Sequence, residues 1–556
     1  MPQESVRQDS QVVQVGARTP LPLEFSVELD ASSDLAFDES RADALLTIRA
    51  RPTSDPPAET AAAEVLIMDK SLSMAGSGKL NEAKRAMCAA VDALRDGTYL
   101  GIVAGNHEAE VIYPPDGGLA RVDAAVREAA RNRVLVQLPG GGTAIGKWLT
   151  RADALFATAP VPASGTVRHA VLYTDGKNEH ETSEQLDEAL AACADRFVCD
   201  VRGLGDDWQY DELLRITGAL HGTARAVVEI SDLTGDFTRL MQQARRILVP
   251  RVYLGLGLSS LFRLGFVRQT RPVEADLTGQ RQERDGEIHI PLGAWPPEDR
   301  QYHVSLRFDP DALPVEEEVR AARVTLRAER ADASREPCAD TQALIVRRRA
   351  TPDFRFNPPP SLTQAESLRE LGMAMRACAD AAQNERWPEA DRELALALEL
   401  AAILGDTERL ALLRKVSSIG PDGRPRVRQG MSRGYIQLIG LESARTGAPD
   451  SDPVDKTQLP PEGGGPVRRE CPRCHAVTTA ARPRHCEECG YAFADGAGGA
   501  GGQGAGAQGA GAEGSAPEGP GESEGLSRAG GSGRAQGSGR TPGSDRAGDG
   551  GPVDAS

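Results

Sequence analysis

The apolar run Val65-Leu66-Ile67-Met68, preceded by Glu64, stops at Asp69, and two hydroxyls follow in alternation, Ser71 and Ser73. A strand of that character, covered on both faces, delivers all three oxygens together at its carboxyl end, where open α/β sheets place their ligands. Alternation in the loop can point both hydroxyls the same way, and such hard oxygens suit Mg²⁺ or Mn²⁺ rather than a soft metal. Taken alone, the segment also fits an ordinary strand end whose serines cap the next helix. Two later loops repeat the design: Leu138-Pro139-Gly140-Gly141-Gly142-Thr143 opens a helix through about Phe156, and the run Ala170-Val171-Leu172-Tyr173-Thr174 ends at Asp175-Gly176. A second chemistry lies far downstream, where Cys471 and Cys474 are followed by Cys486 and Cys489. Two such pairs present four thiolates, enough to close a tetrahedral Zn²⁺ site with a structural role.

The elements that must position these loops alternate. Helical spacing of Leu80, Ala83, Met87, Ala90, Val91 and Leu94 places a helix directly after Ser73. Strands at Tyr99–Ala104, Ala109–Tyr113 and Phe197–Gly203 interleave with helices near 119–131, 183–196, 211–220 and 233–247, which predicts a largely parallel sheet covered on both faces. After Pro250 the pattern changes to strands without helices between them, from Val252 to Arg347, and this reads as an antiparallel sandwich. The early strands Leu23–Leu29 and Ala42–Ala50 need partners, and that sandwich is the candidate, so the α/β domain is inserted into it. Residues 361–416 read as a helical pair whose second member begins at Pro388, and Val427–Leu441 as a short β-hairpin.

Asp69-Lys70-Ser71-Leu72-Ser73, Thr143 after its glycine triplet, and Asp175-Gly176 resemble the three parts of the metal-ion-dependent adhesion site of von Willebrand factor A domains, with Gly205-Asp206-Asp207 behind the following strand. The resemblance covers about Ala62 to Arg246. It implies a doubly wound α/β fold in which Ser71, Ser73 and Thr143 contact Mg²⁺ or Mn²⁺ through hydroxyls, while Asp69 and Asp175 lie close or act through water. An open coordination position would then accept a carboxylate from another protein. Leu72 departs from the pattern, since that position is often Gly in the family. The cysteine segment resembles a zinc ribbon, with Tyr491 and Phe493 as apolar cover and Arg468, Arg469, Arg473, Arg482, Arg484 and His485 making it locally basic.

The predicted organisation is a flexible amino terminus (1–20), strands joining the sandwich (21–61), the α/β domain (62–248), the sandwich (249–350), the helical hairpin and short β-hairpin (361–445), a linker (446–468), the ribbon (469–494) and a Gly/Ala/Ser-rich disordered tail (495–556). A formal net charge of -17 argues against general affinity for nucleic acid or anionic membrane. The amino terminus has no secretory pattern, and the apolar stretch 247–266 is broken by Arg251, Arg263 and Pro250, so a cytoplasmic location is expected. Gly140-Gly141-Gly142-Thr143 lacks the Lys of a phosphate-binding loop, and no nucleophile with its base is recognisable, which favours binding over catalysis. The expected function is a divalent-cation-dependent protein-interaction scaffold whose partner offers an acidic side chain. Family analogy suggests serine/threonine phosphosignalling or stress response, with kinase, phosphatase or phosphothreonine-reader partners; Thr457 in the linker offers such a kinase a threonine, although chance accounts for its context better. The alternatives are a nucleic-acid-associated ribbon factor and a subunit of an ATPase remodelling or metal-insertion complex.

Overall fold

The computed structural model describes residues 20–55, 60–76, 78–227, 230–350, 358–447, 469–470 and 477–478. The four zinc-site cysteines, Thr457, the tail from 495, nearly all of the linker and all but the last residue of the amino terminus lie outside these residues. The chain divides into two units, Met1–Asp452 and Pro453–Ser556. In the second, the described residues form a short antiparallel ladder pairing Arg469 with Thr478 and Glu470 with Val477.

The centre of the first unit is a sheet running, edge to edge, through Ala224–Val227, Val198–Leu204, Thr166–Thr174, Ala61–Asp69, Tyr99–Gly105 and Ala109–Tyr113, parallel except at the last strand. Six helices cover it: α1 (Lys79–Ala93), α2 (Ala124–Leu135), α3 (Ile145–Ala157), α4 (Ser183–Cys193), α5 (Tyr210–Leu220) and α6 (Leu233–Ala244). Alternation along the Asp69 strand divides the layers. Ala63, Val65 and Ile67 pack with α3, α4 and α5, whereas Leu66 and Met68 pack with α1, α2 and α6. The apolar run Val65–Met68 is therefore buried on both faces. From this strand the chain winds outward through Tyr99–Gly105 and then returns to place Thr166–Thr174 on the other side. That reversal opens a crevice at the carboxyl ends, between Asp69 and Asp175.

Two antiparallel sheets form the sandwich. One orders Leu23–Ala31, Arg41–Pro52, Asp299–Phe308, Phe262–Arg271 and Ala275–Asp276; the other centres on Val252–Leu258 between Glu287–Pro291 and Glu318–Glu329, with Gln342–Arg348 beyond. Arg41–Pro52 pairs on both sides, Ile48 opposite Val27 and Arg300, so the strands before the α/β domain belong to the sheet that follows it. The sandwich core joins Leu46 and Ile48 to Trp295, Tyr302 and Leu254.

Four helices follow rather than two: α7 (Pro360–Gln383), α8 (Trp387–Leu404), α9 (Thr407–Lys415) and α10 (Arg433–Glu442). The β-hairpin predicted over Val427–Leu441 is corrected here. Its strands are Ser417–Ile419 and Pro425–Val427, and most of the remainder is α10. Gly434 and Gly440 weaken the helical pattern in sequence, yet both are contact residues. A Cβ at Gly434 would meet Asp206 Oδ1 at 2.4 Å, and one at Gly440 would meet the Tyr210 ring at 2.4 Å.

Among the described residues no helix is long and apolar enough to cross a membrane.

Candidate functional site

Asp69 ends its strand fully buried, and its two oxygens fix the loop that follows. Oδ1 accepts the Ser71 backbone N–H at 2.7 Å and Oδ2 accepts the Thr174 hydroxyl at 2.7 Å. Ser71 Oγ lies 2.8 Å from Ser73 Oγ, and Ser73 Oγ donates to Asp175 Oδ1 at 2.6 Å. The third loop reaches the same point from the other side. A Cβ built on Gly176 would lie 3.3 Å from both Ser73 Oγ and Thr143 Oγ1, so the missing side chain keeps these hydroxyls around one small space. All five residues predicted from the sequence, Asp69, Ser71, Ser73, Thr143 and Asp175, are brought together at the crevice.

Backbone and side-chain bonds hold the three loops in register. Leu72 N–H donates to the Gly141 carbonyl at 2.9 Å and Gly140 N–H to the Lys70 carbonyl at 2.8 Å, which ties the first loop to the second. The free N–H groups opening α3 are taken by the third loop: Ile145 donates to Asn178 Oδ1 at 2.8 Å, Gly146 to Glu181 Oε2 at 2.7 Å and Lys147 to Glu181 Oε1 at 2.8 Å. Gly142 sits against the His180 ring, where any side chain would collide.

Two buried carboxylates this close repel, and burial adds to the cost of charging them. Desolvation first, with the Asp175 charge contributing, pushes the Asp69 carboxyl up to about 6 against the lowering bonds from Ser71 and Thr174. Lys79, in the first turn of α1, supplies one positive charge, donating to Asp175 Oδ2 at 2.7 Å. Lys70 points away to Glu110 at 2.7 Å. Among the described residues no three His, Cys, Asp or Glu side chains gather as a metal cluster. The donor set at the crevice is instead two carboxylates and three hydroxyls, which suits a small hard cation with some of its waters retained. Leu72, 65% exposed, stands at the rim beside exposed Ser73.

Lys79 was not singled out by the sequence reading. Its signal was a lysine opening the helix that follows the hydroxyl loop. The Gly205-Asp206-Asp207 loop divides its work: Asp207 lies 3.9 Å from Lys79, while Asp206 faces the helical module, accepting the Gly434 N–H at 3.0 Å and the Ser432 hydroxyl. The Tyr210 N–H donates to Gln437 Oε1 at 2.9 Å, and its hydroxyl donates to Asp380. α10 and α7 thus dock directly on the loop neighbouring the crevice.

The sequence profile of the von Willebrand factor type A domain matches residues 65–177, which contain all three loops. Among solved structures, a von Willebrand factor type A protein from Catenulispora acidiphila is 30% identical, with 77% of this chain and 97% of that one covered at a TM-score of 0.70. The ArnB paralog VWA2 from Sulfolobus acidocaldarius is 16% identical over 76% of this chain and 99% of that one, at a TM-score of 0.48. No curated protein matches the chain.

Proposed function

The chain belongs to the von Willebrand factor type A family, whose domain commonly mediates protein–protein interaction, and from that premise we propose that it is a divalent-cation-dependent interaction scaffold. The observation that carries the reading is the convergence of Asp69, Asp175, Ser71, Ser73 and Thr143 at the sheet's crevice, with two buried carboxylates of which only Asp175 is met by a lysine. Ser71, Ser73 and Thr143 would hold Mg²⁺ or Mn²⁺ with the two aspartates beside it, and the cation would supply an electrophilic point for a partner's acidic side chain. The chain's own part is to orient the hydroxyls, to keep Asp69 fixed through Thr174, and to leave the Leu72 rim open to the partner. The reading is one of binding rather than catalysis.

We further propose that Cys471, Cys474, Cys486 and Cys489 hold a structural Zn²⁺; the ladder of Arg469–Glu470 with Val477–Thr478 flanks the first pair and supports a knuckle there. A reducing, cytoplasmic setting accords with Cys88, Cys193, Cys199, Cys338 and Cys378, all of which are free thiols. Calorimetric titration of the full chain with MgCl₂ and MnCl₂ tests the cation reading. Thr143→Ala and Asp175→Ala should each weaken binding at least about tenfold, roughly 1.4 kcal/mol. Equal affinity in wild type and both variants overturns it.

A further inference from the structure

At the opposite end of the parallel sheet, around the amino-terminal halves of Val198–Leu204 and Ala224–Val227, a cleft of about 1300 Å³ opens between the α/β domain, the sandwich and the last helices. Its arginines outnumber the carboxylates left to meet them. Arg225 reaches only Asp236, at 3.9 Å, and that carboxylate is already taken by Arg202 at 2.6 Å and Arg239 at 3.4 Å. Arg271, half-buried, makes no ion pair among the described residues. Arg445 is held by Glu442 at 3.1 Å with the more exposed Glu408 at 4.0 Å, and an isolated bridge from its own backbone to Val273 sets it beside the Arg271 segment. The Thr446 and Gly447 N–H groups both donate to the Pro272 carbonyl at 3.0 Å and fix that neighbourhood.

The carboxylates lining the same walls are mostly engaged. Asp299 binds Arg51, Glu298 binds Arg300, Asp187 binds Arg215, Glu274 lies 3.4 Å from Arg369, Asp276 3.5 Å from Arg268 and Asp195 3.7 Å from Arg335, and Asp200 is shared by His169 and Thr223, which leaves the exposed Asp211. Burial, and then the Arg202 charge with those of Arg445 and Arg239, lowers the Arg225 guanidinium from its usual value. In a chain of net charge -17, a partly buried group of under-compensated guanidiniums calls for an anion from outside.

We propose that this cleft binds a small phosphorylated molecule carrying at least two negative charges, with Arg225, Arg271 and Arg445 as its anchors. Guanidinium forks match phosphate oxygens bidentately, and the space exceeds the roughly 300–1,000 Å³ of ordinary ligand pockets, enough for a nucleotide-sized polyphosphate.

The test is calorimetry on the full chain in EDTA with inorganic phosphate, pyrophosphate and ADP as separate titrants, which keeps the divalent-cation site out of the measurement. Pyrophosphate or ADP should bind more tightly than inorganic phosphate, and binding should weaken with added salt. The pair Arg225→Ala, Arg271→Ala should lose at least about tenfold in affinity. Arg225→Lys with Arg271→Lys keeps the charge and the fold but not the fork, and should still lose affinity. Failure of all three titrants to bind, or binding indifferent to the arginine pairs, overturns the proposal, and neither outcome bears on cation binding by the wild type.

Discussion

Two clusters along the parallel sheet each set two carboxylates beside one cationic side chain, one towards the amino ends of its strands and one at their carboxyl ends, and only the first cluster is closed. At the amino end His169, fully buried, lies between Glu64 and Asp200, with Nδ1 2.7 Å from one carboxylate and Nε2 2.8 Å from the other. The two carboxylates outweigh the desolvation that would discharge it and push the imidazole up to about 10, while His169 pulls Asp200 below the usual carboxylate range. Of the two buried carboxylates at the carboxyl end Lys79 meets only Asp175, and Asp69 is left leaning on the Thr174 hydroxyl and one backbone N–H. The same ingredients give a satisfied buried network in one place and an under-neutralised, open one in the other. A cation bridging both carboxylates leaves nothing to bind, whereas one touching a single carboxylate leaves a site.

The largest expected effect comes from breaking the closed end. His169→Ala leaves Glu64 and Asp200 buried without their shared partner and should cost about 3–5 kcal/mol in urea unfolding. Titration sharpens the contrast. His169 is raised in the folded protein, so its contribution is fully present below the unfolded value of about 6.5 and is lost as pH rises through about 10. Asp69 is a carboxyl raised to about 6, so without divalent cation the folded state holds the proton more tightly than the unfolded chain, and stability falls as pH climbs from about 4 through 6. Asp69→Asn should therefore stabilise the protein in EDTA at pH 8, by on the order of 1 kcal/mol, while weakening Mg²⁺ binding. A destabilised Asp69→Asn protein in EDTA would mean that its bonds to Ser71 and Thr174 outweigh the buried charge.

The open end was legible in the sequence because each of its loops is a local event: two apolar runs that stop at an aspartate, and a glycine triplet that opens a helix. Asp69, Thr143 and Asp175 announce themselves at strand or helix boundaries, and the strand order then brings them together. What could not be read are pairings made across the fold. Lys79 meets Asp175 from 96 residues away, and Gly434 meets Asp206 from 228. α10 carries two glycines in ten residues, which weaken its helical pattern in sequence, and only the Tyr210 ring and the Asp206 loop explain them. His169 carries no local signal, being one of several polar residues, with Thr166, Arg168 and Thr174, in a mostly buried strand.

A middle-sized effect is expected at Lys79. Its ammonium occupies Asp175 Oδ2, so it competes with any divalent cation for that carboxylate. Lys79→Met should raise Mg²⁺ affinity several-fold in calorimetry, about 1 kcal/mol. A fall in affinity would instead make Lys79 the group that aims Asp175.

The smallest change belongs to the rim. Leu72 packs on nothing that burial would reward at 65% exposure, while its backbone N–H is already spent on the Gly141 carbonyl. Leu72→Gly removes an apolar side chain beside the hydroxyls without touching a donor atom, so unfolding free energy should move by no more than about 0.5 kcal/mol and Mg²⁺ affinity should hold. The approach of a carboxylate should ease, read as tighter binding of an acidic peptide in Mg²⁺ with no change in EDTA. Weaker peptide binding would show that Leu72 is itself a contact for the partner, and would move the open end's selectivity from the metal to its rim.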